Sequence, residues 1–122
     1  DYEASCKLSA NDAPAFFELG RLYFYKGQYI KAIETLTKAL TMFKERKEQQ
    51  NCINTLTIRA KAYNKVNRGA DSIKDYSEAI TLSPLQRDLL IERAAVYKSM
   101  GEKAKAAADE QKAKALDKGL DF

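Results

Sequence analysis

The most informative absence in this 122-residue chain is histidine, which does not occur. Histidine is the commonest side chain for proton transfer near neutral pH and the commonest metal ligand. The chain also lacks a glycine-rich phosphate loop, a G-x-S-x-G nucleophile elbow and a C-x-x-C pair. The acids Glu18, Asp88 and Glu92 are spread along predicted helices without a pairing that suggests catalysis. We therefore predict a protein that is not an enzyme and uses no cofactor.

Cysteine and long apolar runs are also scarce. Cys6 and Cys52 lie in different predicted helical segments, and two thiols without histidine do not form a recognisable zinc site. A reduced pair in a cytosolic protein is the simpler interpretation. No run approaches the ~18 consecutive apolar residues that suggest a membrane span. We expect a cytoplasmic protein with no metal and no membrane segment.

The excess of basic over acidic side chains is small. The formal net charge is +4, and 31% of the residues are charged while 45% are hydrophobic. Such a charge suits an acidic partner, but it is also ordinary for a lysine-rich, solvated helix surface. Because no long linker rich in Pro, Gly or Ser interrupts the chain, we expect one cooperative array.

What the sequence does contain is a repeated pattern. A large apolar residue, a small residue and an aromatic recur as three sets: Phe16, Gly20 and Tyr23; Leu56, Ala60 and Tyr63; Leu90, Ala94 and Tyr97. The second set follows the first by 40 residues, and the third follows the second by 34. Each set is followed by two further small residues: Ala32 and Ala39, Ser72 and Ala79, Ala106 and Ala113. A fixed period of this length is the signature of a stacked-repeat protein.

These residues resemble the tetratricopeptide repeat family, whose unit is a helix–turn–helix of about 34 residues. The resemblance implies an all-α fold, a right-handed α-solenoid of antiparallel helix hairpins. Aligning the recurring residues with the repeat unit of this family assigns three repeats, to residues 13–52, 53–86 and 87–120. In this arrangement the small residues allow close approach of paired helices, and the aromatics fill the wedge between them. One hairpin cannot bury its own apolar face, so neighbouring hairpins must stack.

The two ends of the chain differ in character. Residues 1–12 are predicted to be the end of the second helix of a preceding, truncated repeat, because Tyr2 and Leu8 are spaced as Tyr76 and Leu82 are. A frayed extension is the alternative. The last predicted helix, at about 103–116, is alanine-rich, and Glu110 stands where earlier repeats carry a large side chain. We interpret it as a C-terminal cap.

Local signals predict where the helices begin and turn. Asp12 is the predicted N-cap of the first helix, and left-handed turn residues are expected at Gly27, Asn67 and Gly101. Asp71 or Ser72 is expected to begin the second helix of the middle repeat. The first repeat is six residues longer than the others, and its segment 44–50 contains only strong helix formers. We expect this segment to extend its two flanking helices rather than to form a loop.

The resemblance places the first helices of the repeats along a concave groove. Their exposed stripe is predicted to bind the partner through the following residues: Phe17, Arg21, Phe24, Tyr25, Asn54, Thr57, Lys61, Asn64, Lys65, Ile91 and Lys98. This predicts an aromatic end and a basic middle, which would supply apolar area for affinity and charge for orientation. Phe17 and Phe24 have a second interpretation, which is contact with the preceding repeat or the N-terminal segment.

The expected function is a protein–protein interaction scaffold that binds a peptide or partner segment in this groove. A purely architectural role, using the convex surface and helix ends, is the alternative, and weak nucleic-acid binding ranks third. One subclass of the family holds chaperone C-termini in a carboxylate clamp. The clamp positions are occupied here by Phe17, Arg21, Ile58, Asp88 and Glu92. Because two required cations are replaced by acids, we do not expect a chaperone C-terminus as ligand.

Overall fold

A computed structural model describes residues 12–117, which form six α-helices and no strand within that range. The helices are α1 (Ala13–Tyr25), α2 (Tyr29–Glu45), α3 (Gln49–Lys65), α4 (Gly69–Leu82), α5 (Arg87–Ser99) and α6 (Lys103–Asp117). Each helix packs on the next one in sequence, and α1 also contacts α3. The predicted all-α array of helix hairpins is confirmed. The predictions for residues 1–11, Cys6 among them, lie outside the described range.

Four of the five connections share one turn geometry. In each, the middle residue has a positive φ, of 81° at Gly27, 57° at Lys47, 62° at Asn67 and 81° at Gly101. The next amide then donates to the carbonyl five residues earlier, as in the 2.8 Å bond from Arg68 N to Tyr63 O. This is the Schellman ending of a helix. The turns predicted at Gly27, Asn67 and Gly101 are confirmed, and the one at Lys47 was not anticipated.

The six extra residues of the first repeat lengthen helices, as predicted. Helices α2 and α3 have 17 residues each, whereas α1 has 13 and α4 has 14. Only residues 46–48 separate α2 from α3. Lys47 takes the left-handed conformation without being glycine, because the Glu48 amide bonds to the Phe43 carbonyl at 3.0 Å while the Phe43 side chain is buried.

The predicted start of α4 is wrong. The helix begins at Gly69, with Arg68 as its N-cap residue, rather than at Asp71 or Ser72. The turn centred on Asn67 leaves the chain ready to continue as helix at once, so no capping side chain is needed. Ser72 instead donates its hydroxyl to the Ala60 carbonyl at 2.8 Å, and Asp71 accepts from Arg68 Nε at 2.8 Å.

The small residues lie at the close contacts between helices, as predicted. All nine of them are buried: Gly20, Ala32, Ala39, Ala60, Ser72, Ala79, Ala94, Ala106 and Ala113. The bond between Ser72 Oγ and the Ala60 carbonyl shows directly that α3 and α4 meet at this register. At Gly20 a Cβ atom would lie 2.6 Å from Leu36 Cγ, so α1 and α2 approach too closely there for a side chain.

Enlarging Ala60 should destabilise the array. We expect Ala60→Leu to lower the free energy of unfolding by ~1–3 kcal/mol, because overpacking a filled core forces side chains and helices apart. Ala60 is fully buried, whereas Ala108 on α6 is exposed. Ala108→Leu is therefore the matched control and should change stability by less than about 0.5 kcal/mol. Denaturant unfolding measures both. Equal midpoints for Ala60→Leu and wild type would contradict the assigned helix contact.

The outer face of α6 is charged where the equivalent face of α2 is apolar. Leu36, Leu40 and Phe43 of α2 correspond by sequence register to Glu110, Lys114 and Asp117 of α6. Asp117 pairs with Arg87 Nε at 3.0 Å, and Glu110 pairs with Lys98. The C-terminal cap remains our interpretation of this composition.

Candidate partner-binding groove

A cavity of about 190 Å³ opens between the first helices of the three hairpins, α1, α3 and α5. We call it the groove cavity, and its lining consists of Phe24, Lys61, Asn64, Lys65, Tyr76, Glu92, Ala95 and Val96. Four of these residues belong to the predicted groove set, namely Phe24, Lys61, Asn64 and Lys65. The structure therefore brings together side chains from helices that are far apart in sequence.

The floor of the groove cavity is apolar with one hydroxyl. Tyr76 and Val96 are each only 2% exposed. The Tyr76 hydroxyl donates to Glu92 Oε1 at 3.3 Å. Burial, with Glu92 beside it, raises the pKa of Tyr76 above its ordinary value, so the hydroxyl keeps its proton and remains a donor. Ala95 lies at the position where α1 and α3 carry Arg21 and Lys61 in register, and its small side chain leaves room.

The rim of the groove cavity carries charges of both signs. Lys61 Nζ lies 3.4 Å from Glu92 Oε1, so this predicted basic residue is already paired with an acid of the next hairpin. Lys65 and Asn64 are exposed. None of the ion pairs within residues 12–117 includes Lys65. The basic middle predicted from sequence thus contains one neutralised lysine and one available lysine.

An aromatic cluster adjoins the groove cavity at α1. The Phe24 ring meets Tyr25 and Tyr29 edge-on, with centroids 5.5 Å apart in both cases. Tyr25 is 75% exposed, so much of its ring is available to a partner. Tyr29 is the first residue of α2. Its role as the support for Phe24 follows from the turn at Gly27.

Phe17 and Arg21 form a separate group. The Phe17 ring packs edge-on against the buried Phe43 of α2, with centroids 6.5 Å apart. Arg21 lies over the Phe17 ring at 6.0 Å and pairs with Glu18 on the same helix. The sequence allowed two interpretations of Phe17, partner binding and contact with the preceding repeat or the N-terminal segment. Neither included this contact within its own hairpin. Phe17 therefore contributes to the core, and Arg21 offers a charge that Glu18 already partly neutralises.

The remaining predicted groove residues are divided between two places. On α3, the Asn54 side chain accepts from Gln50 Nε2 at 3.1 Å, and the Thr57 hydroxyl donates to the Ile53 carbonyl at 2.8 Å. On α5, Ile91 lines a different cavity, of about 420 Å³, together with α6 residues. Lys98 pairs with Glu110 of α6. Neither Ile91 nor Lys98 lines the groove cavity.

Sequence reasoning missed a pair of buried ion bridges. Arg59 on α3 binds Asp75 on α4 through two parallel bonds, Nε to Oδ2 and Nη2 to Oδ1, both 2.8 Å. Its third donor, Nη1, reaches Thr37 Oγ1 on α2 at 3.0 Å. One guanidinium thus ties a hairpin to the helix before it. Burial raises the pKa of the Asp75 carboxyl, and the two bonds from Arg59 oppose that rise.

The same buried ion bridge recurs in the next repeat. Arg93 binds Asp109 at 2.8 and 2.7 Å, and its Nη1 reaches Ser77 Oγ at 3.0 Å. The signal in the sequence was an arginine and an aspartate that both recur at 34 residues. The first repeat carries Leu19 and Thr35 at these positions, so it has no equivalent ion bridge.

The described part of the chain contains no cluster of side chains that could hold a metal ion and no helix that could span a membrane. Among residues 12–117, no group of three or more His, Cys, Asp or Glu side chains is arranged to hold a metal ion. None of the six helices is long and apolar enough to cross a bilayer. Cys52 is a free, buried thiol, and burial raises its pKa, which keeps it in the less reactive thiol form.

Known proteins show the same fold. The tetratricopeptide repeat profile matches residues 13–46. A crystal structure of MamA protein is similar over 98% of this chain and 62% of its own, with a TM-score of 0.82 and 24% identity. The second TPR of Spaghetti (RPAP3), bound to the HSP90 peptide SRMEEVD, is similar over 88% of this chain and 95% of its own, with a TM-score of 0.74 and 22% identity. A comparison with curated protein sequences found no significant match.

The fold is thus that of a tetratricopeptide-repeat solenoid, and residues 13–46 match the profile of the repeat itself. The profile match begins at Ala13, the predicted first residue of the first repeat, and ends at residue 46, whereas the predicted repeat extends to residue 52. The chain spans about 62% of the length of that MamA structure.

Proposed function

We propose that this chain is a non-catalytic scaffold that binds a segment of a partner protein along α1, α3 and α5. The supporting observation is the groove cavity, where Phe24 of α1, Lys61 of α3 and Ala95 of α5 surround one recess. A concave, mostly apolar site with a few polar groups at its rim is the usual form of a binding site. A peptide is the ligand class that we propose, since the similar RPAP3 domain was solved with a peptide.

The chemistry of the recess suits a short contact rather than a broad interface. Phe24 and the exposed Tyr25 supply apolar surface at one end. Lys65 and Asn64 supply a charge and an amide at the rim. Aromatic anchors beside polar groups are typical of interface hot spots. The charged rim would set the orientation of the bound segment more than its affinity.

The test compares two variants with the same change in net charge. Lys61→Glu with Lys65→Glu alters the rim of the groove cavity, whereas Lys74→Glu with Lys112→Glu alters exposed lysines of α4 and α6 outside the lining. Proteins captured from lysate by the wild type are identified by mass spectrometry. We expect the groove variant to lose the specific partner and the control variant to keep it. Thermal unfolding establishes that both variants are folded.

The opposite result would favour the architectural alternative. If the α4 and α6 variant loses the partner while the groove variant keeps it, the second helices and the convex surface make the contact. A partner that both folded variants retain would also contradict binding through the groove cavity.

We propose further that the chain does not bind chaperone C-termini tightly. The clamp positions hold Asp88, whose side chain is 73% exposed, and Glu92, which is already bonded to Lys61 and Tyr76. The exposed Asp88 carboxylate would repel the acidic peptide, and Glu92 supplies no cation at the other clamp position. Titration calorimetry with SRMEEVD should show no micromolar affinity, with the RPAP3 domain as positive control. Micromolar binding that disappears when the terminal carboxylate is amidated would overturn this expectation.

A further inference from the structure

We infer that the segment bound at the groove cavity combines an apolar side chain with a nearby Asp or Glu. The apolar side chain enters beside Ala95, and the acidic side chain meets Lys65. This inference rests on the proposed function and specifies the chemistry of its partner. It names an acidic side chain within the segment, not a terminal carboxylate, as the charged group.

The apolar half of the inference follows from the shape and lining of the recess. Its walls and floor are Phe24, Ala95, Val96 and the ring of Tyr76, in a volume of about 190 Å³ that admits one side chain. In the two preceding hairpins the register position of Ala95 holds a longer side chain, Arg21 on α1 and Lys61 on α3. Ala95 is therefore the residue that opens this recess in α5.

The acidic half follows from how the charges at the rim are paired. Glu92 already receives Lys61 at 3.4 Å and the Tyr76 hydroxyl at 3.3 Å, so its charge is largely compensated. Lys65 is exposed and takes part in no ion pair of residues 12–117, which leaves a positive charge beside the recess. A carboxylate complements that charge, whereas a Lys or Arg would be repelled by it. The adjacent Asn64 amide can donate to and accept from an extended backbone.

A single available cation argues against a terminal carboxylate. A clamp for a chain end needs several cations that converge on one group, but here Glu92 occupies the other side of the recess. An acidic side chain needs only one cation, and it can lie on the Lys65 side while the backbone passes Asn64.

The probe is a library of random peptides displayed as fusions, so that no peptide has a free carboxyl end. Selection on the wild-type chain should enrich peptides with an apolar residue close to Asp or Glu. Their affinity should fall by about tenfold or more, equivalent to ~1.4 kcal/mol, for Ala95→Leu, which fills the recess. It should be unchanged for Ala108→Leu, the same substitution at an exposed site on α6.

A reversed charge provides a second, independent readout. Selection repeated on Lys65→Glu should enrich Lys or Arg in place of Asp or Glu, next to the same apolar residue. Selection on Lys74→Glu, the matched control on α4, should return the wild-type pattern. This comparison holds even if Ala95→Leu proves poorly folded, because Lys65 is exposed and makes no ion pair in residues 12–117 that the change would break.

The possible failures separate the two proposals. Peptides that compete at the groove cavity but lack an acid, or that bind Lys65→Glu and wild type equally, would overturn this inference and leave the proposed function intact. Peptides whose binding no groove variant reduces would overturn both. A library from which nothing is enriched would also overturn both.

Discussion

Replacing Arg59 by alanine should lower the free energy of unfolding by about 3–5 kcal/mol, the largest effect that we expect from one polar substitution. The cost arises because Asp75, whose side chain is 6% exposed, would lose both of its bonds to the guanidinium. A buried carboxylate without a partner is far less stable than a hydrated one. Thr37 would lose its bond from Arg59 as well, which loosens α2 from the following hairpin.

The destabilisation caused by Arg59→Ala should increase as the pH rises. Burial already raises the pKa of Asp75 in the folded chain, and removing Arg59 removes the bonds that oppose this rise. A folded-state pKa above the unfolded value of about 3.9 means that the folded variant binds the proton more tightly. The variant should therefore lose stability as the pH rises from about 4 through the folded-state pKa, and change no further above it. Denaturant unfolding at several pH values measures this.

Two further variants serve as controls for the ion bridge. Replacing both partners, as Arg59→Met with Asp75→Leu, removes the buried charges together and should be nearly neutral or stabilising. Arg93→Ala should repeat the loss one repeat later, where Asp109 is similarly buried. If Arg59→Ala costs less than about 1 kcal/mol, water reaches Asp75 and its burial is not what makes Arg59 important.

Replacing Phe43 by alanine should also cost about 3–5 kcal/mol, because it leaves a cavity as well as removing apolar contact. Phe43 is only 2% exposed and lies in the main core with Ile53 and Leu56 of α3. Its ring supports Phe17 of α1 at 6.5 Å, so one side chain joins three helices. The loss should therefore lower the stability of the array as one unit.

The measurement is denaturant unfolding followed by a helix signal and, separately, by tyrosine fluorescence. Tyr25→Ala removes an aromatic ring that is 75% exposed and should change stability by less than about 0.5 kcal/mol. Coincident transitions in the Phe43→Ala variant would fit a single cooperative array. A transition that splits, with part of the helix signal unchanged, would show that the hairpins unfold separately.

The sequence predicted the repeated framework well because that framework depends on local chemistry. Gly27, Asn67 and Gly101 adopt the left-handed conformation that their side chains tolerate. Lys47 was missed at the fourth such turn because lysine carries no local signal for that conformation. The start of α4 was placed too late because a capping side chain was expected where the preceding turn already sets the helix direction.

The candidate site was predicted only in part. Phe24, Lys61, Asn64 and Lys65 share the groove cavity, but Ile91 and Lys98 lie elsewhere, although all six were predicted on or beside the same helical stripe. A stripe shows which side of one helix is exposed. It does not show how successive helices are rotated against one another, and that rotation decides which exposed side chains meet.

The sequence by itself determined the period, the close helix contacts and three of the four left-handed turns. Each of these depends on residues a few positions apart or on side-chain sizes that recur with the repeat. Only the tertiary structure decided which charges are available. Lys61 is paired with Glu92 of the next hairpin, and Arg59 is paired with Asp75 across its own. Electrostatic attraction acts through distances in space, and a pattern of residue types contains no such distances.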